Sequence, residues 1–171
     1  MIKREHDTKI RISQLSNGTY TYYLFVDPDE LELQDNFKRP VEIDVVLEKT
    51  LNQIFLKAEV HTIGLFQCDR CTDDFNYTIN NSFGTLYVYD RLDGLNYSEE
   101  EICVINHDTV YIDLKDDVRD IVTVAIPLKL LCKENCLGLC PRCGTRLNFE
   151  TCNCEQDEID PRWEKLTQIR K

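Results

Sequence analysis

The chain reads as an α+β protein: an antiparallel, β-rich sheet or partial barrel, one main helix, and a separately fastened C-terminal tail. Three observations carry that reading. Residues 41–48 and 54–60 alternate apolar and polar side chains, the period of a half-buried antiparallel strand. Residues 116–131 carry apolar side chains at spacings of three and four, the period of an amphipathic helix. Six of the nine cysteines crowd into residues 132–154, too densely for an ordinary loop.

In chain order, residues 9–26 predict a hairpin. An apolar stretch leads into Ser16-Asn17-Gly18, and Asn-Gly supplies the two positive φ angles of a tight turn. TYTYYLFV follows, with Tyr20, Tyr22 and Leu24 on one face. The acidic stretch 27–40 reads as a connection with room for a short helix. Val41, Ile43, Val45 and Leu47 then point inward while Glu42, Asp44 and Glu48 point out. Ile54, Leu56, Ala58 and Val60 repeat the pattern. Residues 76–90 form another aromatic, β-branched strand, in which Gly84 predicts a bulge or kink. Ser98-Glu99-Glu100-Glu101 matches a capping box but soon meets strand-like ICVIN, where Cys103 is expected to be a buried core thiol. YIDL at 111–114 suits a short strand.

The helix over about 116–131 has Val118, Ile121, Val122 and Ala125 on one face, Asp116 or Asp117 as its cap, and a break at Pro127. A last short helix is expected from Asp160-Pro161, with Trp163, Leu166 and Ile169 on its apolar side. This organisation divides the chain into a β-rich domain, 1–131, and a cysteine-rich tail, 132–171.

The chain has 171 residues and a formal net charge of −11. No apolar run reaches the roughly 18–20 residues of a membrane span, and the charged start MIKREHDTKIRIS is unlike a signal peptide. A reducing cytoplasm is the expected location, so nine cysteines read as metal ligands before disulfides. The acidity disfavours a broad nucleic-acid groove and suits basic protein partners. His6, His61 and His107 are scattered. No metalloprotease helix, phosphate loop, nucleophile elbow or dinucleotide fingerprint occurs. A non-enzymatic protein without a small-molecule substrate is therefore expected.

The metal candidate begins with Cys140-Pro141-Arg142-Cys143-Gly144, a C-x-x-C knuckle in which two sulfurs and nearby N–H groups can face one ion. Cys152-Asn153-Cys154 can supply two more. Four thiolates satisfy tetrahedral zinc with no open position, the mark of a structural site. A second C-x-x-C, Cys68 with Cys71, could join Cys132 and Cys136 around another ion and clip the tail onto the sheet. A different partition puts Cys132 or Cys136 in place of one member of the C-x-C pair. Cys68 and Cys71 could equally be reduced, partly buried thiols. Iron would suit the CPRCG knuckle, although rubredoxin-type sites use two such knuckles. Two filled sites would each add about −2, taking the chain from −11 to about −15. Arg142 and Arg146, with Phe149 nearby, could touch phosphate and stack on a base; simple solvation explains them as well.

Two stretches carry a resemblance. Cys68-Asp69-Arg70-Cys71 at a strand end, and IPLKLLCKENCLGLCPRCGTRLNFETCNC followed by Asp160-Pro161-Arg162, resemble the YceD family of large ribosomal RNA subunit accumulation proteins. Gly138-Leu139-Cys140-Pro141, Cys143-Gly144 and Leu147-Asn148 form its C-terminal signature, and the match spans roughly residues 60–170. The resemblance implies a role in 23S rRNA synthesis or accumulation, hence ribosome biogenesis. Ribosomal proteins, rRNA-processing factors or the 23S rRNA or its precursor are the implied partners. It brings no catalytic residues. Two other functions stay open on the residues: a thiol/zinc redox-responsive protein, and a direct RNA-binding zinc module.

Overall fold

The computed structural model describes residues 3–90 and 102–154. The capping-box motif at 98–101 and the terminal helix expected from Asp160 lie outside them. The elements are β1 (Lys3–Glu5), β2 (Lys9–Arg11), β3 (Gly18–Val26), β4 (Val41–Lys49), β5 (Gln53–Gln67), β6 (Asp74–Val88), β7 (Ile102–Val104), β8 (Tyr111–Asp113) and α1 (Lys115–Val124).

Six strands form an open mixed sheet in the order β1-β3-β4-β5-β6-β7, and β2 pairs with β8 in a separate ribbon. The interior pairs are antiparallel; the short edge strands β1 and β7 run parallel to β3 and β6. The partial-barrel expectation is thus corrected to an open sheet, because β1 and β7 cap opposite edges and do not pair with each other.

The alternation in β4 and β5 sets the core. Val41, Ile43, Val45, Leu47, Ile54, Leu56, Ala58 and Val60 are all fully buried. The continuous β4–β5 register aligns the two sets, Ile43 opposite Val60 and Leu47 opposite Leu56. Covering this face are Val118 and Val122 of α1, Ile10 and Ile112 of the ribbon, and Leu31 and Phe37 from the connection 27–40. That connection is a series of turns, not a helix, held by bonds such as Leu33 N–H to the Pro28 carbonyl.

Other local expectations also change. Residues 9–26 are not a hairpin. Ile10 pairs with Ile112 in the ribbon, while β3 makes a nine-residue ladder with β4. The long ladder buries Tyr22, Leu24 and Val26 against β4, which a short hairpin at Asn17-Gly18 could not. Gly84 makes no bulge; it stays in unbroken register opposite Lys57, and its open face lies against the Phe55 ring, where a Cβ would sit 3.6 Å away. Cys103 is exposed: it sits on a three-residue edge strand with no strand beyond it among the described residues.

The helix ends at Val124, well short of residue 131. Pro127 has no N–H to continue the ladder and disfavours the helical region for the residue before it. Its start is not capped by Asp116 or Asp117. The Lys115 N–H donates to Asp113 Oδ1, while Asp116 and Asp117 sit in the first turn, where the helix dipole favours negative charge.

Candidate metal centre

The turn between β5 and β6 is built by CDRCTD. The Cys68 N–H donates to the Asp73 carbonyl and the Thr72 N–H returns to the Cys68 carbonyl, both at 2.9 Å. Thr72 takes a left-handed φ of 58° to close the loop. The loop therefore presents Cys68 and Cys71 together at the end of the longest hairpin. The chain leaving α1 is received there. The Asp69 N–H donates to the Leu130 carbonyl, and the Leu130 N–H donates back to the Asp69 carboxylate at 2.7 Å. The Arg70 guanidinium donates to the Cys136 carbonyl at 2.7 Å, and the Leu139 N–H donates to the Arg70 carbonyl.

These contacts place Cys132 and Cys136 over Cys68 and Cys71, 61 to 68 residues away in sequence. Cys68 Sγ lies 3.8 Å from Cys136 Sγ, and Cys71 Sγ lies 3.6 Å from Cys132 Sγ. Four sulfurs about 2.3 Å from a tetrahedral ion would stand about 3.8 Å apart. A disulfide would need about 2.0 Å. Cys68, Cys71 and Cys136 are buried in their own small cluster with Leu131 and Phe75 against it.

The knuckle forms the second group. The Gly144 N–H donates to the Cys140 carbonyl and the Cys140 N–H to the Thr145 carbonyl. Leu139 bridges Arg146. Within each of the groups Cys68/Cys71/Cys132/Cys136 and Cys140/Cys143/Cys152/Cys154, all sulfurs lie within 4.8 Å of one another, and each group could hold a metal ion. Cys132 and Cys136 thus fall in the group with Cys68, not with the C-x-C pair. The second group is the more open one: Cys140 is buried but Cys143 and Cys154 are exposed.

Each group mixes thiols drawn towards ionisation with thiols held protonated. Burial opposes ionisation of Cys68, but the N–H groups of Cys132, Cys71 and Arg70 outweigh it and lower the thiol to about 6. Cys71 accepts the Asp73 N–H, yet burial and the thiols of Cys68, Cys132 and Cys136 carry it to about 12. In the knuckle, Thr145 hydroxyl and N–H bring Cys143 to about 6, while Cys143, burial and Cys140 push Cys154 to about 12. Four negative charges cannot share so small a volume alone; a divalent ion would let all four sulfurs ionise. The donor set, four soft sulfurs within 4.8 Å of one another, suits zinc or iron rather than a hard cation.

Some positioning groups escape sequence reasoning. Asn148 donates to Cys136 Sγ at 3.2 Å and accepts the Leu137 N–H at 2.9 Å, so it ties the knuckle to the first group. Asp69 clamps the incoming chain, and Asp73 pairs with Arg146 at 2.9 Å. Arg146 therefore spends part of its charge between the two groups; Arg142 is exposed on the knuckle. Asn148 and Asp69 lie in the two stretches that carry the family resemblance, and Arg146 reads in the sequence only as a phosphate contact; none of their positioning roles is visible there.

Gly138 has φ +78°, and a Cβ there would meet the Arg70 carbonyl oxygen at 3.0 Å. Gly138→Ala is expected to destabilise by about 1–3 kcal/mol, from left-handed strain plus the displaced backbone contact. Gly144, with φ +75° and open space around it, should show the left-handed penalty alone. Urea melts of the two alanine variants check the difference.

Two four-cysteine groups, one where the tail meets a sheet hairpin and one within the tail, define a β-sheet protein with two candidate metal centres. The family model for the large ribosomal RNA subunit accumulation protein YceD matches residues 56–170. The chain belongs to that family. An uncharacterised protein of Mycobacterium tuberculosis (strain H37Rv) is 27% identical over 130 residues, covering 75% of this chain and 61% of that one. A Mycobacterium leprae protein is 28% identical over 130 residues, 76% of this chain and 59% of its own. The chloroplastic large ribosomal RNA subunit accumulation protein YCED homolog 1 of Arabidopsis thaliana is 24% identical over 173 residues, 86% of this chain and 53% of its own. The chain thus spans between about half and three-fifths of these relatives. No solved structure matches it.

Proposed function

We propose that this chain is a non-enzymatic, cytoplasmic factor in 23S rRNA accumulation, acting as a scaffold for large-subunit assembly. Family membership over residues 56–170 carries this reading. The name of the Arabidopsis relative supports the ribosomal role. No helix among the described residues is long and apolar enough to cross a membrane. Cys140, Cys143, Cys152 and Cys154 hold one zinc ion, and Cys68, Cys71, Cys132 and Cys136 a second. Closed four-thiolate shells leave no position for substrate water, so the metal shapes the tail and does no chemistry. Arg142 and Arg146 are the knuckle's contacts to rRNA or to a processing factor.

Tagged protein purified from growing cells should bring down large-subunit ribosomal proteins or pre-23S rRNA, and its depletion should lower the 23S to 16S rRNA ratio. Recovery of neither, with an unchanged ratio, would reject the role. Protein purified without added metal should be colourless and carry two zinc ions per chain by elemental analysis. A red or brown preparation would replace zinc with iron.

A further inference from the structure

The core lies on one face of the sheet; the opposite face of β3–β6 has its own pattern. The registers align its side chains in rows across four strands: Phe25–Glu42–His61–Asn80, then Tyr23–Asp44–Glu59–Ser82. Asp44 and Glu59 are direct cross-strand neighbours. Like charges placed opposite one another destabilise a sheet. Glu42 and Glu48 flank Asp44 on the same side of β4. Lys57 offsets part of this charge, but its ammonium is held by Glu59 at 2.8 Å.

Apolar surface surrounds these carboxylates. Val46 is 38% exposed, Phe55 39% and Leu65 50%. A groove of about 430 Å³ runs beside Glu42, walled by Tyr23, Phe25, Pro40 and Ile63, with one cation, Arg39, on its rim. The His6 ring meets Phe25 edge-on at 5.0 Å, Arg4 of β1 stands beside Tyr23 in the register, and exposed aliphatics and carboxylates share the rest of this face. Their combination has a clear chemical counterpart. Aromatic faces attract cations, guanidinium above all, and a carboxylate accepts two parallel guanidinium N–H bonds. Phosphate, by contrast, would meet Glu42, Asp44 and Glu59 as like charges.

We propose that this face of β3–β6 docks an arginine-rich segment of a partner protein, with guanidinium groups seated in the groove beside Phe25, against the carboxylates of Glu42 and Asp44. This deepens the scaffold reading by naming the surface and the chemistry of what it holds. It fails separately, since it is tested with pure components.

The probe is a fluorescent dodecapeptide of alternating arginine and glycine, titrated into the full chain and mapped by amide chemical shifts. The charge-matched control is D116N/D120N on α1, in the layer packed against the other side of the sheet, where both carboxylates contact Arg119. Shifts should cluster on β3–β5 around Glu42 and Asp44. E42Q/D44N should weaken the peptide about tenfold, and D116N/D120N by less than about twofold. E42Q/D44N should also melt at the same or a higher temperature, because it removes repulsion. Equal weakening by both double variants would reduce the effect to net charge and overturn the proposal. So would a lower melting temperature for E42Q/D44N, shifts mapping elsewhere, or a single-stranded RNA dodecamer that binds this face in place of the peptide.

Discussion

Cys68→Ser with Cys71→Ser is expected to remove one of the two proposed metal ions and free the tail from the sheet. Those sulfurs are the sheet's half of a group whose other half, Cys132 and Cys136, lies beyond α1. Among the described residues, the tail from 132 to 154 has no strand or helix of its own; beside the sulfurs, two hydrogen bonds to Arg70 and the Asp73–Arg146 pair hold it to the hairpin. Closing a loop of more than 60 residues, from Cys71 to Cys132, is entropically opposed by several kcal/mol. Structural zinc in small sites supplies roughly 10–16 kcal/mol of apparent binding energy, enough to offset that closure. Its loss should expose residues 126–154 to protease and lower the melting temperature by more than any other cysteine pair.

Cys152→Ser with Cys154→Ser is the comparison. It should also lose one ion, yet leave the hairpin clamp at Asp69–Leu130 and Cys68–Cys136 in place. The sheet's melting should then barely move, with cleavage confined to the knuckle. Elemental analysis and limited proteolysis on both double variants read this out. Identical melting losses for the two pairs, or two ions retained in either, would show that the groups do not act as separate staples.

The second large effect lies in the sheet. Leu56→Ala should cost about 2–5 kcal/mol, because Leu56 is 0% exposed opposite Leu47 and its removal leaves a cavity that rigid strands cannot close. Phe55→Ala, one residue away on the open face and 39% exposed, should cost under about 1 kcal/mol despite losing a larger side chain. Urea denaturation of both variants measures the contrast. Similar losses at the two positions would contradict the assignment of faces.

The core alternation was legible because it is local. Val41 to Leu47 and Ile54 to Val60 show their buried side through spacing alone, since each neighbour in a strand points the opposite way. The knuckle was legible for the same reason: Cys140, Cys143, Cys152 and Cys154 are close enough in sequence for short loops to gather them. The helix was visible in Val118, Ile121, Val122 and Ala125, although Pro127 ended it sooner than the periodicity suggested. The hairpin expected at Asn17-Gly18 failed because turn chemistry is a local preference, and burial against β4 and β8 outweighed it.

By itself, then, the sequence determined which side chains of β4 and β5 avoid water, where a cysteine knuckle folds, and the family signature around Gly138 to Asn148. Only the tertiary structure decided that β1 runs parallel to β3, that Cys68 and Cys71 meet Cys132 and Cys136, and that Asp44 stands opposite Glu59. The difference is physical. Periodicity records the environment of each residue, whereas the choice of a distant partner depends on which global arrangement buries the most apolar surface while pairing every buried N–H and carbonyl.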